Sequence, residues 1–335
     1  MGHRPGRFRR LHTVRIVWQA ALISQSSMSA SIGIVHTAYY LPEPAEDVRG
    51  WAQRTKQSVE TVKRLEKAGV RLFYNARGQT ALSLAANAIQ SLVCATRLGP
   101  DTIDFLVYVH TLQGSVAPPP LSLPRLLCEH FGFERAEAFS FAQQHCASSL
   151  GALRIIRAMF AARPAINRGL LVGADVMPLA SERSIAGAGL LSDGACAVLV
   201  ERDASINRLV SLAFHASGEG WRGTLEQDES RFAAQYFFAA RRLAMQASAE
   251  ANVPLAEIQR ILPCHLDLPT WRRTVASLGL PARHLFADNF VRIAHVTVCD
   301  PFINLADCGD LVPGKPFLLC ARGVGGFSAA ALFVR

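Results

Sequence analysis

The sequence predicts an α/β protein of two similar halves. Alanine-rich stretches of helical length alternate with short Val/Ile/Leu-rich runs along the 335 residues. That is the pattern of helices laid against a sheet. The order of elements also recurs. Each half opens on an apolar strand and closes on a glycine-containing turn and a strand of small residues. No residue-level repeat accompanies this structural one.

The first half, 31–203, opens with Ser31-Ile32-Gly33-Ile34-Val35 and predicts a strand near 32–38. A helix near 81–97, a strand at 103–110 and a helix at 123–131 follow. An extended run from Ala138 then gives way to a helix over Ala147–Ala162, and strands are expected at 169–174 and, after the turn Ser192-Asp193-Gly194, at 194–201. The turn residues are of the kind that reverse a chain. A polar break, Arg202-Asp203-Ala204-Ser205, separates the halves. The second half, 204–335, predicts a strand at 208–215, a long helix at 229–250, a short strand at 259–264 and a helix at 269–278. A strand near 316–321 and a Gly-rich turn lead into a last strand at 329–334.

Half of the residues are hydrophobic and 18% are charged, a composition that packs a large core. Net charge is +9, and five arginines with no acidic residue in the first 27 positions supply more than half of it. Residues 1–30 read as a basic extension. The segment is Arg-rich and acid-poor like a targeting peptide, but its apolar part, Ile16 to Ile23, is too short to span a membrane. The preferred reading is sequence ahead of a start at Met28. No later stretch has transmembrane length. Basic residues are not interleaved with aromatics, which argues against nucleic acid; an acidic protein or a phosphate-bearing cofactor suits the charge better. The eight cysteines are scattered, without metal-ligand spacing, and read as reduced thiols of a cytoplasmic protein.

The candidate chemistry centres on Gln144-His145-Cys146-Ala147-Ser148-Ser149. A thiol where a strand gives way to a helix lies at the positive end of the macrodipole, which favours thiolate. The alternative is a cysteine that merely packs. His265 ends a short apolar strand, where sites form in α/β sheets, although a histidine there can equally be a simple cap. In Ala294-His295-Val296-Thr297-Val298-Cys299-Asp300-Pro301, the proline is expected to hold Asp300 extended. Asp300 can then turn back onto the second ring nitrogen of His295, as the orienting acid does in a nucleophile–base–acid triad. The competing reading is that Asp300 caps a helix begun by Pro301. The turn Arg322-Gly323-Val324-Gly325-Gly326-Phe327 allows close backbone approach. It is not a dinucleotide fingerprint, because no helix follows it.

Together these residues resemble the thiolase superfamily, in its ketoacyl-ACP synthase III-like branch, from about Ile32 to the C-terminus. The Cys146 helix start, the Ser192-Asp193-Gly194-Ala195 turn, His265 and Gly325-Gly326-Phe327 occur in the family's order. The resemblance implies a five-layered αβαβα fold, a homodimer, and acyl transfer through a thioester on Cys146. It also implies an oxyanion hole from the backbone N–H groups of Cys146 and Gly326. Trp51, in Arg49-Gly50-Trp51-Ala52-Gln53-Arg54-Thr55, matches the family's segment that holds the CoA or pantetheine arm, without the usual Thr-Gly-Ile.

The departures are informative. Condensing members follow their histidine with Gln-Ala-Asn, whereas His265 precedes Leu266-Asp267-Leu268. They also carry Gly-Asn-Thr where this chain has Ala294-His295-Val296. A histidine can remove a proton where asparagine only donates one. The resemblance therefore narrows to the acyltransferase offshoot of specialised-metabolite pathways. In this reading Cys146 takes an acyl group from a carrier-protein or CoA thioester. His295, oriented by Asp300, activates an alcohol or amine acceptor, and His265 hydrogen-bonds the thiolate or carbonyl. No permanently bound cofactor and no metal are expected. A decarboxylative condensing enzyme, a thioester hydrolase and a non-catalytic partner subunit are the alternatives.

Overall fold

The computed structural model describes residues 30–185, 187–218, 229–323 and 325–335, without the side chains of 229–232. The expected basic extension, 1–30, lies outside the described residues apart from Ala30. In chain order the elements are β1 (Ile32–Tyr40), β2 (Glu46–Asp47), α1 (Val48–Arg54), α2 (Val59–Lys67), β3 (Leu72–Phe73), α3 (Ala81–Thr96), β4 (Phe105–Val109), α4 (Leu123–Phe131), β5 (Glu137–Phe141), α5 (Ser148–Ala162), β6 (Arg168–Asp175), β7 (Ser184–Ile185), β8 (Gly189–Leu190) and β9 (Gly194–Arg202). They continue with β10 (Arg208–Ala216), α6 (Glu229–Glu250), β11 (Arg260–Leu262), α7 (Leu268–Ser277), α8 (Asp288–Ile293), α9 (Asp300–Asp307), β12 (Pro316–Arg322) and β13 (Phe327–Val334).

Nine strands join in the order β11-β12-β13-β10-β1-β9-β6-β4-β5. The run β4-β6-β9-β1 and the run β11-β12-β13-β10 repeat one another: each is paired parallel, then antiparallel, then antiparallel. β5 is an additional edge strand of the first run. The two runs meet where β1 pairs antiparallel with β10, Gly33 opposite Arg208. A Cβ on Gly33 would come within 2.6 Å of the Ile206 carbonyl oxygen, so the seam requires a residue without one.

Side chains alternate along these strands, and both faces are covered, which is why their sequences are almost continuously apolar. Phe105, Val107 and Leu171 face inward with Phe317, Leu319, Ala329 and Phe333, around α5 and α9. Leu106, Tyr108, Leu170 and Val172 face α3 and α4. Leu318, Ala330 and Leu332 face α6 and α7. The result is five layers, αβαβα, with α5 and α9 as the central one.

Local signals explain the helices. Thr80 and Ser83 form a reciprocal capping box on α3, which ends on Arg97 in the left-handed region. Asp47 caps α1 and Ser58 caps α2. The sequence reading placed no element between 38 and 81, although both caps and the inward spacing of Val48, Trp51 and Ala52 were present to be seen. Asp300 corrects another expectation. It is helical, φ −46° and ψ −50°, and begins α9 with Pro301 in the first turn. A proline there gives up an N–H that has no helical partner, and this outweighs its bias against a helical predecessor.

Candidate active site

Cys146 stands in a short 3₁₀ turn, His145–Ala147, between β5 and α5. The chain reaches it through two non-glycine residues at positive φ, Gln143 at 76° and His145 at 50°. The thiol is 2% exposed, and no side chain caps the N-terminus of α5. The Thr111 hydroxyl lies 3.5 Å from Sγ.

His295 comes from the second half. It follows Ala294, which is at φ 52° and ψ −150° and closes α8. Its backbone is fixed against the first half: its N–H donates to Leu190 at 3.0 Å, and its carbonyl accepts from Ser192 at 2.9 Å. The ring is buried, with Nε2 3.2 Å from Cys146 Sγ and Nδ1 2.5 Å from Asp300 Oδ2. Asp300 also accepts the backbone N–H of His265 and of Val296, each at 2.7 Å. Burial penalises a charged ring at His295. The Asp300 carboxylate and the Cys146 sulfur outweigh that penalty and hold the imidazole well above its ordinary value. Burial would raise Asp300, but His265 and His295 reverse it and hold the carboxyl far below the usual range. The structure thus brings sulfur, imidazole and carboxylate into one hydrogen-bonded row.

Two further carboxylates brace the row; the sequence singled out Asp193 only as part of a turn and Asp175 not at all. Asp175, at the end of β6, accepts the N–H groups of Thr111 and Leu112 and the Thr297 hydroxyl at 2.5 Å. It ties the loop beside Cys146 to the turn after His295, and burial raises its carboxyl. Asp193, in the Ser192-Asp193-Gly194 turn, makes a buried two-pronged ion pair with Arg183 at 2.9 and 2.7 Å. It also accepts from Ala76 and Met177. Arg183→Met leaves that carboxylate uncompensated and is expected to cost about 3–5 kcal/mol in denaturant unfolding. Arg183→Met with Asp193→Asn should recover part of the loss, because the amide is uncharged and its oxygen still accepts a backbone N–H.

Two sequence-read residues take other places. His265 does not reach the sulfur. Its Nδ1 lies 2.6 Å from the Ala294 carbonyl and its Nε2 lies 2.8 Å from Asn304 Oδ1, so both nitrogens are engaged behind Asp300. Trp51 is not a surface for a CoA arm. It is 1% exposed, packed among Val48, Leu65, Val70 and Phe73, and its indole N–H donates to Ala180 at 2.7 Å. Trp51→Ala is expected to cost about 3–5 kcal/mol of stability and to leave the donor KM unchanged; a raised KM at unaltered stability would contradict the core assignment. Gly326 is at φ +87°, where a Cβ would lie 2.3 Å from the Ser217 carbonyl. Its turn packs on the neighbours of Cys146: a Cβ on Gly323 would meet the Gln144 carbonyl at 2.5 Å, and one on Gly325 would meet the His145 ring at 2.6 Å. Among the described residues no group of histidine, cysteine, aspartate and glutamate has metal-binding geometry, and no helix is long and apolar enough to cross a membrane.

Residues 142–218, which contain Cys146, match the family described as 3-Oxoacyl-[acyl-carrier-protein (ACP)] synthase III. The chain is 26% identical over 188 residues to beta-ketoacyl-[acyl-carrier-protein] synthase III of Lactococcus lactis subsp. lactis (strain IL1403). That match spans 55% of each protein, about half the length of the curated relative. Among solved structures, 3-oxoacyl-[acyl-carrier-protein] synthase III from Aquifex aeolicus VF5 superposes with a TM-score of 0.80 at 17% identity, over 91% of this chain and all of that one. ChlB3, described as an acyltransferase, superposes with a TM-score of 0.78 at 22% identity, over 91% of this chain and 97% of that one.

Proposed function

Because the chain is ketoacyl-ACP synthase III-like and has the thiolase-superfamily fold, we propose that it is an acyltransferase working through an acyl-Cys146 intermediate. The donor is a carrier-protein or CoA thioester, and the acceptor is an alcohol or amine of specialised metabolism. The observation that carries this reading is the row from Cys146 through His295 to Asp300, a nucleophile, a base and a group that orients the base.

The row supports a closed proton cycle. Cys146 thiolate attacks the donor carbonyl, forming a carbon–sulfur bond and an oxyanion, for which the Cys146 and Gly326 N–H groups are the proposed donors. Collapse breaks the donor's carbon–sulfur bond, and the departing thiolate takes the Nε2 proton of His295. The neutral ring then receives the acceptor's O–H or N–H proton as that atom attacks the acyl-cysteine. Expulsion of the sulfur restores the thiolate and imidazolium pair. Asp300 holds Nδ1 protonated throughout, so Nε2 is always the exchanging nitrogen.

Intact-protein mass spectrometry tests the proposal. Incubation with a panel of acyl-CoA and acyl-carrier thioesters should give one adduct, absent from Cys146→Ala. An alcohol or amine acceptor should discharge it without CO₂ release from any malonyl donor. Release of CO₂ with carbon–carbon bond formation would instead identify a condensing enzyme. Discharge by water alone at the full rate would identify a hydrolase.

A further inference from the structure

The proposed cycle leaves His265 without a task, yet its surroundings fix its charge. Nδ1 faces the Ala294 carbonyl at 2.6 Å and Asp300 Oδ1 at 3.2 Å. Neither oxygen can donate, so Nδ1 carries a proton. Nε2 faces Asn304 Oδ1 at 2.8 Å. That amide cannot be reversed: its Nδ2 donates to the Pro263 carbonyl at 2.7 Å, and its Oδ1 also accepts from Asn289 Nδ2 at 3.0 Å. Asn289 is fixed in turn. Its Nδ2 donates to Asp307 at 3.0 Å, and its Oδ1 accepts from Arg292 at 3.0 Å. Turning either amide sets acceptor against acceptor, so Nε2 donates as well.

We propose that His265 is a positioning residue standing as a buried imidazolium, which braces Asp300 from a second direction and keeps the catalytic row neutral at both stages of turnover. At rest the signs along the row alternate: thiolate, imidazolium, carboxylate, imidazolium. After acylation Cys146 and His295 are both neutral, and Asp300 with His265 still sums to zero. A row without the second cation would leave Asp300 an uncompensated buried anion just when His295 must be an unprotonated base. The members are between 0% and 2% exposed, so no water stands in for the missing charge.

The other groups packed around His265 do not supply that charge. The Cys264 thiol, pushed up to about 11 by burial, is neutral and lies 3.0 Å from the Tyr236 hydroxyl. Asp267 is turned into the cap of α7. Asp307 acts on the ring only through Asn289 and Asn304, and the Phe290 ring lies 5.3 Å away.

Histidine-labelled ¹⁵N NMR of the full chain tests the charge without turnover. Two buried rings with both nitrogens protonated, His295 and His265, are expected in the resting protein, with slowly exchanging N–H protons. One of the two should persist in His295→Gln, and in His265→Gln only the His295 ring should remain. A bare nitrogen on the His265 ring overturns the proposal. His295→Gln alone makes the assignment if His265→Gln does not fold. The kinetic consequence rests on the acyl-cysteine reading. In His265→Gln, the acidic limb of acyl-enzyme discharge should move up by about one pH unit, because His295 holds its proton longer. An unmoved limb would reduce His265 to a structural role. A chain that never acylates would refute the acyl-transfer reading and leave the NMR result standing.

Discussion

In His295→Ala, the acyl-cysteine is expected to form and then accumulate. Discharge to the acceptor should slow by about 10²–10⁴-fold, the usual worth of a positioned general base. Acylation should suffer less, since the thiol retains the setting of a helix start and the donor brings a good leaving group. Rapid-quench mass spectrometry separates the steps, because the adduct appears before the acceptor is added and outlasts it. Wild-type turnover by this variant would remove His295 from the mechanism.

Asp300→Asn should do at least as much damage, for two reasons. The carboxylate accepts from His295, from the ring and backbone of His265, and from Val296. An amide offers one oxygen and turns an NH₂ toward donors. The base also loses the group that fixes its tautomer, a change worth of order 10⁴-fold in the serine triad. Stability should become less sensitive to pH as well. The folded carboxyl is displaced downward, so its contribution is whole above the unfolded value of about 4 and is lost as pH falls toward the folded one. The His295 ring is displaced upward, so its contribution is whole below about 6.5 and is lost as pH rises through the folded value. The wild-type protein should therefore be most stable between about pH 4 and 6.5, and both slopes should flatten in the variant. Thermal melts across pH would show this.

Much of the architecture was legible because each strand is buried on both faces and each long helix has a plain start. The row was partly legible. Cys146 announced itself by a change of local structure, and His295 with Asp300 by a spacing of five residues. What failed was what depends on facing groups distant in sequence. The strand-end position of His265 says nothing of the Asn304 amide behind it, nor does the β6 end reveal that Asp175 bonds Thr297. Trp51 was different: its spacing from Val48 already put it on the inward face of a helix, and Arg49 and Arg54 mark only the exposed face.

The sulfur rides on the β5–α5 junction, and the imidazole and carboxylate ride on the α8–α9 junction. These belong to separate copies of the recurring strand order. In the proposed acyl transfer, thioester capture and acceptor activation are therefore written in different places along the gene product. Evolution can edit the second without disturbing the first, so an old loading mechanism can serve a new recipient.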